Sequence, residues 1–408
     1  MTTPLVRAAD IAGMANVSRA AVTQWRKRYP QFPKPVQDKD SESPLFDRDE
    51  VARWLADNGK LRAPARVDDP GALAVQIADH LRGFASVRDG IALAGAALVA
   101  EYIARMRSRD AELVGPAAAA NGLAAPLSRG SLNRSATDSS ALLYLADDEF
   151  DRWLASLSAT SPDLALALSP LRPLERQSPS APSETSRFLT SCWELVGRTP
   201  IEDFLPIYDE LIYRDREAAS DPAALADFVA ELTDQKGGLV LDPAAGAGMT
   251  LLAVARRSGA KAVGIDDKEQ PRATAIRRFI LANTEVDYRA GDALGLDPAT
   301  GLLADTVVCT PPFGLREFGP DVDPNDGRWI FGRPSPRSDG IWLQYAIAHL
   351  GTAGRAFVMT SQGELTRSGP SEALRHELLR RGCVEAIMSL PRAALIRTPM
   401  PVALWVLA

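Results

Sequence analysis

The chain has 408 residues, of which 46% are hydrophobic, with a formal net charge of −6 and three cysteines. This length favours about two to four domains, and the acidic balance excludes a uniformly basic surface, so any contact with DNA must use local patches. The cysteines Cys192, Cys309 and Cys383 fit neither disulfide nor zinc spacing, which favours a reduced, cytoplasmic protein without a metal. No stretch approaches the ~18 unbroken apolar residues that a membrane span requires.

Residues 5–61 predict a small DNA-binding unit. The first part of this stretch has helical spacing of its apolar residues, which are Val6, Ala9, Ile11 and Met14. Ser18 suits the N-cap of a second helix, over residues 18–30, and five basic but no acidic residues lie between Arg19 and Lys34. A helix, a short turn and a basic helix make a helix-turn-helix pattern, whose second helix enters the major groove.

The second helix supplies the predicted DNA contacts. We expect Trp25 to pack inside, and the residues facing bases or phosphates to be Arg19, Thr23, Gln24, Arg26 and Arg28. The module, assigned to residues 1–62, resembles the winged-helix domains of excisionases and MerR-type regulators. The alternative is a helical protein–protein adaptor with a solvated basic face.

The middle of the chain is predicted to be helical. Residues 69–186 combine helical periodicity with loops rich in Ala, Ser and Pro, and the part from 169 to 186 has the composition of a linker. Helical periodicity returns from 187 to 213, and a further helix is predicted over 220–233.

Strands and helices alternate from residue 239 onward. The predicted strands are 239–242, 262–266, a short one around Tyr288, 306–310, 355–360, 384–390 and 401–408, and the predicted helices are 249–258, 270–282, 341–350 and 371–382. Repeated strand–helix units predict a mostly parallel, doubly wound α/β sheet within a domain that spans residues 187–408.

A glycine-rich turn follows the first of these strands. The sequence Asp242-Pro-Ala-Ala-Gly-Ala-Gly248 ends a strand and opens a helix, and Ala244, Gly246 and Gly248 let the backbone approach a ligand closely. A tight connection without a ligand is the alternative. A dinucleotide site is the other rival, although the turn lacks the G-x-G-x-x-G pattern.

Acidic residues follow the next two strands. Asp266 could accept both hydroxyls of a ribose, although it could also belong to a solvated acidic loop. Asp292 could accept a hydrogen bond from an adenine amino group or cap the following turn.

The fourth strand ends in Thr310-Pro311-Pro312-Phe313-Gly314. The prolines fix the backbone so that its carbonyls are held rigidly, and Phe313 offers a flat face on which an extruded base could stack. The alternative is a rigid turn with a phenylalanine in the core.

These four motifs resemble the catalytic domain of adenine-specific DNA methyltransferases, in particular the modification subunit of type I restriction systems. The resemblance implies a Rossmann-like class I S-adenosylmethionine-dependent fold, with the cofactor held by Asp242, Ala244, Gly246, Gly248, Asp266 and Asp292. It also implies a catalytic segment at Thr310, Pro311, Pro312 and Phe313, DNA as the substrate, and a specificity subunit or other restriction-modification subunits as partners. Residues 69–186 resemble the amino-terminal helical domain of that family more weakly.

One position departs from the family pattern. Thr310 stands where the family has Asn or Asp, and its acceptor oxygen lies closer to the backbone. Losing one well-placed polar contact in a transition state costs ~100- to 1000-fold in rate. The sequence therefore predicts cofactor binding more firmly than turnover. The alternatives are a degenerate methylase acting as a DNA-binding regulator or scaffold, and a methyltransferase acting on RNA or protein.

Overall fold

The computed structural model describes most of the chain in two compact units, Met1–Ala72 and Leu73–Ala408. The described residues are 5–6, 11, 19–36, 45–58, 74–75, 77, 87–109, 147–171, 195–197, 199–215, 220–234, 236–313, 322–332, 338–392, 394–395 and 400–408. None of the helices in these ranges combines the length and apolarity needed to cross a membrane.

The described part of the first unit contains two helices with defined bounds and a two-stranded sheet. The elements are β1 (Leu5–Val6), α1 (Arg19–Arg28), β2 (Phe46–Asp47) and α2 (Arg48–Asp57), and β1 pairs antiparallel with β2. The predicted basic helix is confirmed as α1. The helical assignment of Val6 is wrong, because this β-branched residue pairs with Phe46 in the sheet. Of the other predicted positions in the first helix, Ile11 is helical and buried, while Ala9 and Met14 lie outside the described residues.

Aromatic side chains form the core of the first unit. The ring of Phe32 meets the edges of Trp54 and Phe46, with centroids 4.7 and 5.9 Å apart respectively. Trp25 is half-buried and its ring lies 6.0 Å from that of Trp54, as the sequence predicted. These contacts fix α1 against α2 and leave the opposite side of α1 exposed.

The second unit begins with a helical region. Its helices are α3 (Val87–Arg109), α4 (Asp147–Thr160), α5 (Pro162–Leu168), α6 (Phe204–Arg214) and α7 (Ala223–Leu232). The alanine-rich α3 packs closely on α6, since a Cβ on Gly95 would lie 2.3 Å from Cε2 of Tyr208. Small residues in α3 thus let two helices approach each other.

A seven-stranded sheet forms the rest of the second unit. The strands are β3 (Leu239–Asp242), β4 (Lys261–Asp266), β5 (Val286–Ala290), β6 (Ala304–Cys309), β7 (Leu350–Ser361), β8 (Val384–Ser389) and β9 (Val402–Leu407). Their order is β5-β4-β3-β6-β7-β9-β8, and β9 runs antiparallel to both its neighbours while the first five strands are parallel. The predicted strand–helix alternation is confirmed, in a sheet that is mixed.

Each face of the sheet is covered by helices. Four helices alternate with the strands, namely α8 (Met249–Ser258), α9 (Glu269–Leu281), α10 (Gly340–Ala348) and α11 (Pro370–Arg380). One hydrophobic core joins α8 and α9 to the helical region, and a second core joins α10 and α11 to the other face. The strand order reverses between β3 and β6, and open α/β sheets bind ligands at such a switch point, beyond the carboxyl ends of the strands.

Candidate functional site

An aspartate follows each of three adjacent strands, and each makes the same local hydrogen bond. In every case the carboxylate accepts the backbone N–H two residues further on, and the donors are Ala244 to Asp242 at 3.1 Å, Lys268 to Asp266 at 2.8 Å and Leu294 to Asp292 at 2.9 Å. This bond fixes the orientation of each carboxylate through one oxygen. A carboxylate can accept more than one hydrogen bond, so turn formation and ligand binding are compatible roles here.

Asp242 is the most deeply buried of the three. Its side chain is 3% exposed, and burial raises the pKa of its carboxyl well above the ordinary value, with the nearby charges of Asp221 and Asp266 adding to the shift. Asp221 lies just ahead of α7 and accepts a hydrogen bond of 2.6 Å from Thr250 Oγ1. A cluster of carboxylates in a buried place favours a positively charged ligand.

Asp266, the last residue of the neighbouring strand β4, is partly exposed. Burial raises the pKa of its carboxyl, while the backbone amides of Lys268 and Gly246 oppose that shift. The involvement of Gly246 shows that the glycine-rich turn lies directly beside Asp266. The side chain of Asp292 is exposed, two residues beyond the end of β5. An exposed carboxylate is accessible for a hydrogen bond from an adenine amino group.

The two glycines of the turn are required for different reasons. Gly246 and Gly248 have φ values of 55° and 73°, which favour glycine. A Cβ at Gly248 would also lie 3.0 Å from Cβ of Ala275, so this glycine lets α9 approach the turn. Ala244 is half-buried and packs against the core on the α10 side of the sheet.

Buried donors lie beneath this turn. Tyr288 Oη donates to the Gly246 carbonyl at 2.6 Å, and the guanidinium of Arg278 donates to the Ala247 carbonyl. Sequence reasoning missed both residues, because Tyr288 looks like an ordinary strand residue and Arg278 lies on an otherwise apolar helix face. The one feature of the sequence that could have indicated a buried role for Arg278 is its position among the apolar residues of α9.

The segment from Thr310 to Phe313 begins where β6 ends. Thr310 Oγ1 donates to Met359 Sδ at 3.7 Å, Pro311 is buried, Pro312 is exposed, and Phe313 is half-buried against the larger core. Burial raises the pKa of the adjacent Cys309 thiol well above its usual value, and the charges of Asp242 and Asp221 add to this. The segment therefore lies close to the acidic cluster.

Arg328 connects the chain beyond this segment to the loop that follows Asp292. Its guanidinium donates to the carbonyls of Ala293, Leu294 and Gly295 at 2.5, 3.2 and 3.0 Å respectively. Sequence reasoning did not identify this residue. Within the described ranges, no group of three or more His, Cys, Asp or Glu side chains is placed to hold a metal ion.

The predicted DNA-contacting residues lie on α1 in the first unit. Thr23, Gln24, Arg26 and Arg28 are exposed, and the side chain of Arg19 lies outside the described part of the chain. The guanidinium of Arg26 covers the ring of Phe46 at 5.3 Å. Lys27, which sequence reasoning left out of the set, is exposed one helical turn beyond Thr23.

The sheet order, the aspartate turns and the polar segment after β6 define an α/β domain of the methyltransferase type, preceded by a helical region. The model of the N-6 DNA Methylase family matches residues 217–408, which include α7 and the whole seven-stranded sheet. The carboxyl-terminal part of this chain is therefore similar to that family.

Two relatives of this chain are methylase subunits of type I restriction enzymes. The chain is 24% identical over 199 residues to the type I restriction enzyme MjaIX methylase subunit of Methanocaldococcus jannaschii, covering 45% of this chain. It is likewise 24% identical over 199 residues to the HindI methylase subunit of Haemophilus influenzae. The match spans 36% and 45% of the lengths of these two relatives, respectively.

Solved structures show that the fold is shared over more of the chain. A type I restriction-modification methyltransferase subunit from Streptococcus thermophilus superposes with a TM-score of 0.64 at 16% identity, covering 84% of each chain. A modification subunit of a type I restriction enzyme from Vibrio vulnificus gives a TM-score of 0.57 at 16% identity, covering 85% of this chain and 82% of that one. At this identity the likeness concerns the fold alone.

Proposed function

We propose that the chain is an S-adenosylmethionine-dependent DNA methyltransferase that acts on the exocyclic amino group of adenine. The observation that carries this proposal is the placement of three oriented aspartates at the carboxyl ends of the adjacent strands β3, β4 and β5, with the Thr310–Phe313 segment at the end of β6 on the other side of the switch point. The relationship of residues 217–408 to the N-6 DNA methylase family supports it. The match to methylase subunits of type I restriction enzymes favours a restriction-modification role.

The residues at the strand ends fit S-adenosylmethionine. The partly exposed Asp266 suits the ribose hydroxyls, and the exposed Asp292 suits the adenine amino group of the cofactor. Asp242, buried and close to two other carboxylates, suits the positively charged end of the molecule, because a cation would offset the burial that raises its pKa. The positive φ of Gly246 turns backbone amides toward that place.

Thr310, Pro311 and Phe313 would position the target base. The bound cofactor supplies an electrophilic methyl group. The Pro311 carbonyl and Thr310 Oγ1 would accept hydrogen bonds from the target amino group and draw its lone pair out of conjugation with the ring. The amino nitrogen would then be placed for direct transfer of that methyl group, and its proton would pass to the surrounding water. Phe313 would stack on the extruded base, with Pro312 fixing the turn.

The first unit would bring the protein to DNA. The exposed face of α1 carries Thr23, Gln24, Lys27 and Arg28, and a basic helix of this kind fits the major groove of a duplex. Arg19 belongs to the same helix, and Arg26 would act mainly by covering Phe46. We also propose a specificity subunit or other restriction-modification subunits as partners, because the matched relatives are subunits of type I enzymes.

A second candidate function rests on Thr310. A degenerate methylase that binds DNA and cofactor as a regulator or scaffold would keep the aspartate turns and lose the catalytic amide. Thr310 lacks the planar carboxamide of Asn, and its hydroxyl is turned toward Met359. The two candidates share the cofactor site and differ only in turnover.

Calorimetric titration with S-adenosylhomocysteine tests the shared site. Asp266→Asn should lower the affinity by about 10- to 100-fold, since hydrogen bonds to a charged group contribute about 1.5–3 kcal/mol. Asp267→Asn is the matched control, because this carboxylate is exposed and follows Asp266 by one position. Equal affinities for the two variants, or no binding by the wild type, would contradict the proposed cofactor site.

A further inference from the structure

We propose that Tyr288 and Arg278 form a clamp beneath the glycine-rich turn and act as positioning residues for the cofactor. The clamp holds two consecutive carbonyls of the turn from below, so that the Ala247 amide faces the ligand before it arrives. This inference rests on the proposed cofactor site and assigns a role to two residues that do not touch the cofactor themselves.

Tyr288 forms the first half of the clamp. Its side chain crosses beneath the turn from β5, and Oη donates to the Gly246 carbonyl at 2.6 Å. Gly264 makes room for the ring, because a Cβ there would lie 2.9 Å from Cε2 of Tyr288. Burial raises the pKa of the Tyr288 hydroxyl well above its usual value, so the group remains a donor throughout the physiological range.

Arg278 forms the second half. Its side chain is fully buried on α9 and donates to three elements: the Ala247 carbonyl, Asp209 Oδ1 at 2.7 Å and Ser220 Oγ at 3.4 Å. A fully buried guanidinium requires a counter-charge and satisfied N–H groups. Asp209 supplies that charge from α6, so the helical region contributes to holding the turn.

The bond from Tyr288 fixes the direction of the Ala247 amide. In a trans peptide the carbonyl and the following N–H point in opposite directions. The Ala247 N–H therefore points away from Tyr288. Further bonds hold the ends of the turn, from Ala245 N to the Ile265 carbonyl at 3.0 Å and from Gly248 N to the Ala245 carbonyl at 2.8 Å. The turn is thus ordered in advance, which reduces the entropic cost of binding.

Tyr288→Phe tests the clamp with little change in packing, since only Oη is removed. We expect hydrogen exchange of a peptide covering residues 243–249 to accelerate in the ligand-free protein, with exchange in β6 unchanged. Affinity for S-adenosylhomocysteine should fall about three- to tenfold, the loss of one neutral hydrogen bond. Tyr213→Phe is the matched control, because the ring of Tyr213 is 59% exposed on α6.

Asp209→Asn tests the other half at a distance from the cofactor. The variant keeps an acceptor for Arg278 but removes the charge, so affinity should fall about two- to tenfold and exchange in 243–249 should rise. Glu210→Gln is the control on the same helix, since Glu210 pairs with Arg214 at the surface.

The outcomes separate the clamp from the proposed function. Failure of the wild type to bind S-adenosylhomocysteine would contradict the cofactor site itself. Binding by the wild type together with unchanged exchange and affinity in Tyr288→Phe and Asp209→Asn would overturn the clamp alone. Equal acceleration of exchange throughout the sheet in Tyr288→Phe would show a general structural role, and would also overturn it.

Discussion

Thr310 decides between an enzyme and a binding protein. Its hydroxyl can accept a hydrogen bond from an amino group, but it lies closer to the backbone than a carboxamide oxygen and donates to Met359 Sδ. Thr310→Asn should therefore raise the rate of methyl transfer to duplex DNA, by ~100- to 1000-fold, with unchanged affinity for S-adenosylhomocysteine. The measurement is incorporation of labelled methyl groups under saturating cofactor.

The rate of methyl transfer by the wild-type protein gives the second half of that test. Activity near background in the wild type and strong activity in Thr310→Asn would favour the regulator or scaffold. Substantial wild-type activity that Thr310→Val abolishes would favour the enzyme. An Asn variant no more active than the wild type, with its cofactor still bound, would show that position 310 does not limit the reaction.

Asp242 makes the stability of the ligand-free protein depend on pH. Burial raises the pKa of its carboxyl well above the ordinary value of 3.8. A carboxyl whose pKa is higher in the folded state stabilises the fold below its unfolded pKa, and that contribution is lost as the pH rises through the folded pKa. Asp242→Asn should therefore unfold at a higher temperature than the wild type, with a difference that grows as the pH rises above the ordinary pKa of the carboxyl.

Asp242→Asn should also lower the affinity for S-adenosylmethionine, because the positively charged end of the cofactor loses its buried counter-charge. Calorimetric scans of the ligand-free protein and titrations with S-adenosylmethionine at several pH values measure both effects. Asp267→Asn, which alters the exposed carboxylate next to Asp266, should change neither the unfolding temperature nor the affinity for S-adenosylmethionine. A stability difference that is constant across the pH range would contradict the assignment to Asp242.

At the scale of elements, α1 divides its basic residues between two tasks. Arg26 lies one turn beyond the buried Val22 and covers Phe46, whereas Lys27 lies one turn beyond the exposed Thr23. Lys27→Ala should lower the affinity for duplex DNA and reduce the slope of log affinity against log salt by about 1. Arg26→Ala should chiefly lower the melting temperature of the first unit, because it loses a cation–π contact.

Fluorescence anisotropy at several salt concentrations, together with thermal scans, distinguishes the two variants. The opposite assignment would hold if Arg26→Ala changed the salt slope and Lys27→Ala changed only the stability. Protein–protein adaptor function, the alternative for this module, would leave DNA affinity unchanged in both.

The sequence predicted elements well where their pattern was local. The helix Met249–Ser258 and the strand Leu239–Asp242 have the predicted bounds, because a glycine-rich turn separates an apolar strand from a periodic helix. Val6 was assigned to a helix wrongly, because its strand pairs with residues about forty positions away, which local periodicity does not register. The antiparallel direction of β9 is likewise a property of the whole sheet.

The candidate site likewise divides into residues that a local sequence pattern identifies and residues that act through distant contacts. The aspartates and the Thr310 segment could be found because each lies immediately after a strand, so one stretch of sequence contains both the position and the chemistry. Tyr288, Arg278 and Asp221 act through contacts with residues 29 to 42 positions away in the chain. Only the tertiary packing of β5, α9 and the segment ahead of α7 reveals them.

At the scale of the whole molecule, charge separates the two units. Residues 1–72 contain 12 basic and 10 acidic residues, a net charge of +2, which leaves 34 basic and 42 acidic residues and a net charge of −8 for residues 73–408. The first unit has its own aromatic core, and the two cores of the second unit contain none of its residues. Each unit therefore has the packing to fold independently.

Removal of the first unit should consequently separate the two binding activities. A chain that begins at Leu73 should bind S-adenosylhomocysteine within about twofold of the intact protein, since no residue of the cofactor site is lost. Its affinity for duplex DNA should fall by at least about tenfold, because the remaining negative charge opposes association with phosphates. Titration calorimetry and anisotropy measure the two quantities, with an intact chain carrying Lys27→Ala and Arg28→Ala as the control for loss of the basic face alone. Undiminished DNA binding by the shortened chain would place the DNA contacts in the second unit, and the basic face of α1 would then need another partner.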